Sequence, residues 1–192
     1  IGVLLGTVFA PYIEQNYPRA RVTTFNSTTD QVVALKTGKV DTALFDATSA
    51  QTLIRAHPEL GILDKGFFTY PLGIGFRRDR AELHERFNRF LEKLRVDGGY
   101  EEIQRRWLVA DPAQAVMPDF PVIDPREGYF LGVSVADLPY VAIKDGRYVG
   151  LDIEILQRFA AEEGIGLEIL SLDFGALIPA LAAGKVDIIT DG

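Results

Sequence analysis

Eight residues recur in this chain. Ala34-Leu35-Lys36-Thr37-Gly38-Lys39-Val40-Asp41 is echoed by Ala180-Leu181-Ala182-Ala183-Gly184-Lys185-Val186-Asp187, with six of the eight identical. Each copy has the pattern of a helix end, a glycine stop and an incoming strand. A bare helix-to-strand turn can recur by chance because glycine stops are common at helix ends. Two similarly built lobes account for the echo directly, and they are what we expect.

The rest of the chain is written in the same grammar. Short runs rich in Val, Ile and Leu alternate with helical periodicity, which predicts βαβ units and mostly parallel sheets, an α/β fold. Strands are expected at residues 1–5, 21–25, 40–45, 71–76, 129–135, 166–170 and 186–190. Helices are expected at 8–16, 28–36, 47–56, 80–95, 100–108, 151–163 and 174–183. Pro18 ends the first helix, and Ser27-Thr28-Thr29-Asp30 supplies capping chemistry for the second. In the long helix Leu83, Phe87, Leu91 and Leu94 share one face. Lys144-Asp145-Gly146-Arg147 carries the Asp-Gly signature of a tight hairpin. Four prolines, at 112, 118, 121 and 125, with no periodicity between them, mark a linker.

Composition narrows the function. The 192 residues are 47% hydrophobic and 24% charged, an ordinary globular balance large enough to bury a core without disulfide or metal staples. There is no cysteine, which removes disulfide frameworks, Cys-based zinc sites and thiol nucleophiles. A net charge of −7 has the wrong sign for a protein held to nucleic acid by its overall field. The strand-like ends, IGVLLGT and VDIITDG, lead us to expect a piece of a longer polypeptide.

Few residues carry a chemical signal. His57 sits beside a proline and His84 on the polar side of the long helix, in no metal-binding spacing, so both are expected at the surface and no metal or cofactor is expected. Ser27, Ser49, Ser134 and Ser171 lie in no nucleophile-elbow context. Gly73-Ile74-Gly75 and Gly164-Ile165-Gly166 lack the third glycine of the dinucleotide fingerprint. Residues 77–106 hold nine basic and seven acidic side chains in a helical pattern, the mark of a solvated face. Glu101-Glu102 and Glu162-Glu163 are helix neighbours pointing about 100° apart, a poor geometry for an acid–base pair.

What remains stands at strand ends, where open α/β sheets place ligands. Gly6-Thr7 closes the first strand and opens a helix, so its backbone N–H groups and hydroxyl can receive an anion. Asp46 follows the strand at 40–45, where it either caps the next helix or binds a ligand; the sequence leaves both open. Phe174, after Asp173, is core filler unless a cleft opens beside it, and Tyr140, after Leu138-Pro139, is a similar loop aromatic.

Several ordered stretches resemble the bacterial periplasmic solute-binding proteins of the polar amino-acid type, two-lobed Venus-flytrap modules. They are IGVLLGT, LKTGKVDTALFD, YPLGIGFRRD, FLEKLRVDGGYEEIQRRW, DLPYVAIKDGRYVGLDIEILQRFAAEEG and LDFGALIPALAAGKVDIITDG. Their order departs from the family, because material like its first lobe follows material like its second. A tandem array accounts for that, with residues 1–108 ending one module and 129–192 beginning the next; a circular permutation is the alternative. The resemblance implies residues 1–72 as a second lobe, 73–108 as the C-terminal part of a first lobe, 109–128 as a linker and 129–192 as the N-terminal part of a first lobe. The parts 73–108 and 129–192 are expected to pack into one sheet, within one chain or in a domain-swapped dimer.

The resemblance also implies roles. Asp46 matches the acid that holds a ligand's α-ammonium, Gly6 and Thr7 the loop that contacts its carboxylate, Phe174 an aromatic packed on the ligand, and Gly192 a backbone ligand, with Tyr140 a further candidate. The family's carboxylate-clamping arginine falls beyond Gly192. Leu4 and Phe45 suit an apolar ligand side chain. The implied protein is extracytoplasmic and non-enzymatic, and closes two lobes on a small solute, most simply an amino acid. Its partner is a membrane permease in ABC-type uptake or a sensor kinase, with no nucleic acid. Two other readings stay open: a tandem sensor domain of a two-component histidine kinase, and the regulatory domain of a membrane-bound lytic transglycosylase.

Overall fold

In the computed structural model, residues 1–63, 69–124, 128–135 and 138–190 are described, and they divide into two compact units. The first comprises residues 1–71 with 173–175, the second 72–172 with 176–192. One copy of the eight-residue echo lies in each.

In the first unit β1 (Gly2–Leu4) runs parallel to β2 (Thr23–Phe25), joined through α1 (Phe9–Asn16). Helix α2 (Thr28–Lys36) begins where the sequence says it should: the Ser27 hydroxyl accepts the Asp30 amide at 3.1 Å. Helix α3 (Ala47–Ala56) follows. Val3, Phe9, Ile13, Phe25, Val32, Ala34, Val40 and Leu53 are buried.

The strand expected at 40–45 is reduced to one parallel bridge between Gly2 and Ala43. Gly2 donates to Thr42 O at 2.8 Å and Leu44 donates to Gly2 O at 3.0 Å. The next rungs of such a ladder would use Leu44 O and Leu4 O. Both acceptors are engaged elsewhere: Leu44 O by the buried Gln31 amide at 2.9 Å, Leu4 O by the Thr7 hydroxyl at 2.8 Å. No bridge follows the one between Gly2 and Ala43, so the pair opens toward its C-terminal ends.

The second unit holds a four-stranded sheet in the order β3–β8–β4–β7, made of β3 (Gly75–Phe76), β8 (Ile188–Thr190), β4 (Tyr129–Val133) and β7 (Leu167–Ser171). The β3–β8 pair is antiparallel and the others are parallel. Residues 71–74, expected to extend β3, have no strand pairing. The hairpin of β5 (Ala142–Lys144) and β6 (Arg147–Val149) turns on Asp145 and Gly146, with φ of 52° and 75°. Positive φ at both central residues is what a two-residue turn matched to strand twist demands.

Helices α4 (Ala81–Val96), α5 (Gly99–Gln104) and α6 (Leu151–Glu163) supply most of the helical share of this core, and α7 (Phe174–Ala182) leads into β8. On α4 the buried face is Leu83, Phe87, Phe90 and Leu94, with Leu91 only half-buried. At about 100° per residue, Phe90 lies closer than Leu91 to the mean direction of the other three. Phe90 and Phe87 meet Phe159 of α6 at 5.4 and 5.3 Å. After α5 a wide turn over Arg105–Val109 swings Trp107 inward, where its indole N–H donates to the wholly buried Glu154 at 2.7 Å. Arg158 donates to the other oxygen of Glu154 at 2.8 Å, and Arg106 does so as well. A buried carboxylate survives only when its lone pairs are filled in this way.

Candidate functional site

The open end of the β1 ladder is where the first unit collects its candidate residues. Gly6 has φ of +89°, and a Cβ placed on it would lie 3.1 Å from Gly175 Cα and 3.4 Å from the Phe174 ring. Only glycine takes that backbone and permits that approach without strain. Gly6 and Phe174, far apart in sequence, are thus brought together, and Leu5 touches Gly175 beside them. Phe174 is half-buried, while Leu5 and Val8 expose close to half their surface. Thr7 gives its hydroxyl proton to Leu4 O, which leaves the oxygen's lone pairs as acceptors.

Asp46 occupies the N-cap position of α3, and its carbonyl accepts the Ala50 amide at 2.8 Å. Its carboxylate makes no capping bond to the helix. It accepts instead the hydroxyl of Tyr70, whose ring stands edge-on to the buried Phe9 at 5.9 Å and 81°. Phe9 opens α1, two residues beyond Thr7, so the Gly6-Thr7 loop and Asp46 are tied to one aromatic pair. Of the two roles the sequence left open for Asp46, capping is the one its side chain does not perform.

Tyr70 is the residue that sequence reasoning missed. Its position before Pro71 indicates only extended backbone, and nothing local in the sequence points a tyrosine at an aspartate 24 residues earlier. Gln31 was missed for the same reason. Its Nε2 bridges Gly2 O at 3.1 Å and Leu44 O at 2.9 Å, while its buried Oε1 has no hydrogen-bond partner.

Tyr140 belongs to the second unit, half-buried in the turn before β5, with its carbonyl accepting the Asp152 amide at 3.4 Å. Ser134 is buried just after β4. Gly192 lies outside the described residues. His57 stands at 3.4 Å from Lys36 Nζ, and His84 is exposed against the Phe76 ring. An open groove on the first unit, lined in part by Thr24, Asn26, Asp30 and Lys39, contains none of the candidate residues. Among the described residues no cluster of three or more His, Asp or Glu side chains can hold a metal ion, and no described helix is long and apolar enough to cross a membrane.

The bacterial extracellular solute-binding proteins, family 3, match residues 130–192 of this chain. Among curated proteins the chain is similar to "ABC transporter arginine-binding protein 1" of Escherichia coli (strain K12), 29% identical over 113 residues, 56% of this chain and 46% of that protein. It is 28% identical over 109 residues to "ABC transporter glutamine-binding protein GlnH" of Bacillus subtilis (strain 168), covering 57% of this chain and 40% of that one. It is 24% identical over 112 residues to "L-cystine-binding protein TcyJ" of Escherichia coli (strain K12), covering 58% and 42%. The chain spans less than half the length of each of these relatives.

Proposed function

We propose that this chain, which belongs with the bacterial extracellular solute-binding proteins of family 3 and their two-lobed periplasmic-binding fold, binds an amino acid or a similar small zwitterion outside the cytoplasm and delivers it to a membrane permease. It acts as a binding protein and not as an enzyme. The observation that carries the proposal is Asp46: a half-buried carboxylate at an open strand end, standing at a helix N-cap yet spending no bond on capping. An ammonium group meeting that carboxylate in a partly dry site gains more than it would in water. The Gly6-Thr7 loop meets the ligand's carboxylate once the Thr7 hydroxyl proton turns from Leu4 O to the ligand, and Phe174 packs on its side chain. The relatives are an arginine-binding, a glutamine-binding and a cystine-binding protein, the first two of ABC transporters, which supports uptake as the role.

Residues 73–108 and 129–192 form one lobe in this proposal. Three contacts support it: β3 pairs with β8, Arg80 Nε reaches Asp187 at 3.0 Å, and Trp107 donates to Glu154.

The test is a thermal-shift panel of L-arginine, L-glutamine, L-cystine and L-leucine, followed by calorimetry on the best binder. A bound ligand raises the melting temperature by mass action. Asp46→Asn keeps the size and loses the charge, so affinity is expected to fall by a factor on the order of 30 or more, the usual cost of removing one member of a desolvated charge pair. No shift with any of the four amino acids, or an Asp46→Asn variant that binds as tightly as the parent, overturns the assignment.

A further inference from the structure

We infer that Tyr70 is the positioning residue of this site: its hydroxyl fixes one carboxylate oxygen of Asp46 and so turns the other toward the ligand's cationic nitrogen. The inference rests on the amino-acid reading of the site and adds to it a residue that the sequence shows only as the start of YPLGIGFRRD, with no role attached. Two observations carry it. First, an aspartate at an N-cap is ordinarily held by the amides of the first helical turn, and α3 gives Asp46 no such bond. Its side-chain direction has to come from elsewhere, and the Tyr70 hydroxyl supplies it. Second, the hydroxyl is itself held. The Tyr70 ring is half-buried and meets the buried Phe9 edge-on, a favoured aromatic geometry with both rings constrained.

The chemistry of the donor matters as much as its position. A carboxylate has room for about four hydrogen bonds. A lysine or arginine at this point would hold the carboxylate equally well but cancel the charge a cationic ligand needs. Among the described residues no cation pairs with Asp46; the donor is a neutral phenol. The full negative charge therefore remains for the ligand while one oxygen stays anchored. A free aspartate would have to be ordered on binding, and that entropy weakens affinity.

The experiment compares the whole chain with its Tyr70→Phe variant, which keeps the ring on Phe9 and deletes only the hydroxyl. Without ligand, side-chain NMR of Asp46 is expected to show one rotamer and a Cγ isotope shift between H2O and D2O in the parent. The variant is expected to show averaged rotamers and no such shift. A parent lacking the isotope shift, or a variant that retains the single rotamer, overturns the inference, and the parent spectrum decides the matter even if the variant does not fold. With L-glutamine and L-arginine as probes, calorimetry is expected to give about tenfold weaker binding for Tyr70→Phe, with the melting temperature lowered by no more than the loss of one hydrogen bond. Equal binding by parent and variant overturns the positioning role while leaving the amino-acid site intact. Failure of the parent to bind either probe removes the amino-acid reading, and the ligand-free spectra still judge whether Tyr70 orients Asp46.

Discussion

The two copies of the eight-residue echo build the same turn and then part company. In each, the glycine has positive φ, 71° at Gly38 and 73° at Gly184. In each, the following lysine amide returns to the alanine that opens the copy at 2.9 Å, Lys39 to Ala34 O and Lys185 to Ala180 O. Even the preceding bond is shared: Thr37 to Val33 O and Ala183 to Pro179 O, both 2.9 Å. Beyond the valine the copies differ. Val186-Asp187 runs into β8, paired on both sides, whereas Val40-Asp41 runs into a segment held by one bridge. Asp187 is buried; Asp41 is exposed. Local sequence therefore dictates the helix stop, and distant partners decide whether the strand that follows becomes part of a sheet.

The final aspartate is where this contrast should break hardest. Asp187 accepts the Phe130 amide at 3.0 Å on one oxygen and meets Arg80 at 3.0 Å and Arg77 at 3.3 Å with the other. Removing it leaves a strand amide and two guanidinium groups short of their acceptor. Asp187→Ala is expected to cost about 3 kcal/mol in denaturant unfolding, the lower end for breaking a buried pair because Arg80 is partly solvated. Asp41→Ala is expected to change stability by less than about 0.5 kcal/mol, as an exposed substitution does. Equal costs would mean that the echo itself, and not its surroundings, sets the role of the aspartate.

The same division explains what could be read from the chain. The Ser27 cap, the Asp145-Gly146 hairpin and α6 from Leu151 to Glu163 follow from rules that act over a few residues, and the sequence places them correctly. The strand expected at 40–45 keeps only one bridge, and two side chains outside it, Gln31 and Thr7, sit on the carbonyls of Leu44 and Leu4 where the next rungs would fall. At the candidate site, Gly6, Thr7, Asp46 and Phe174 stand out as strand-end residues. That Gly6 touches Phe174, and that Asp46 answers to Tyr70, are facts of tertiary packing. Glu154 left two faint marks, a carboxylate between Ile153 and Ile155 and the i,i+4 spacing to Arg158, but its indole partner and its second guanidinium come from a turn some fifty residues away.

The glycines test the shared half of the comparison. An added Cβ would meet nothing within 4 Å at Gly38, and at Gly184 only the Arg77 side chain at 3.3 Å, whose end can swing away. The cost of alanine at either position is then the left-handed backbone alone, on the order of 1 kcal/mol. Gly38→Ala and Gly184→Ala are expected to destabilise equally within about 0.5 kcal/mol by denaturant unfolding. A much larger loss at Gly184 would show that the crowding by Arg77 is rigid and that the two turns are less alike than their dihedrals.

The smallest difference should appear in acid. Near the first copy, the Lys36 ammonium at 2.8 Å holds Glu59 below its ordinary pKa of 4.5 through a side-chain hydrogen bond. Near the second, Arg77 at 2.6 Å does the same to Asp79, ordinarily 3.8. A carboxylate whose folded pKa is depressed adds stability that is complete above its unfolded value and disappears as pH falls through the folded one. Both contributions are thus present at neutral pH and are lost below about pH 4.5 for Glu59 and below about pH 3.8 for Asp79. Both carboxylates are well exposed, so salt screens the effects and they stay slight. Melting followed from pH 6 to pH 3 at low salt should show Glu59→Gln flattening the upper part of the acid decline and Asp79→Asn the lower part, with 0.5 M salt erasing both differences. A salt-insensitive difference at either position would place that carboxylate in a drier setting than its exposure indicates, and the two copies would then differ at their rims as well as at their aspartates.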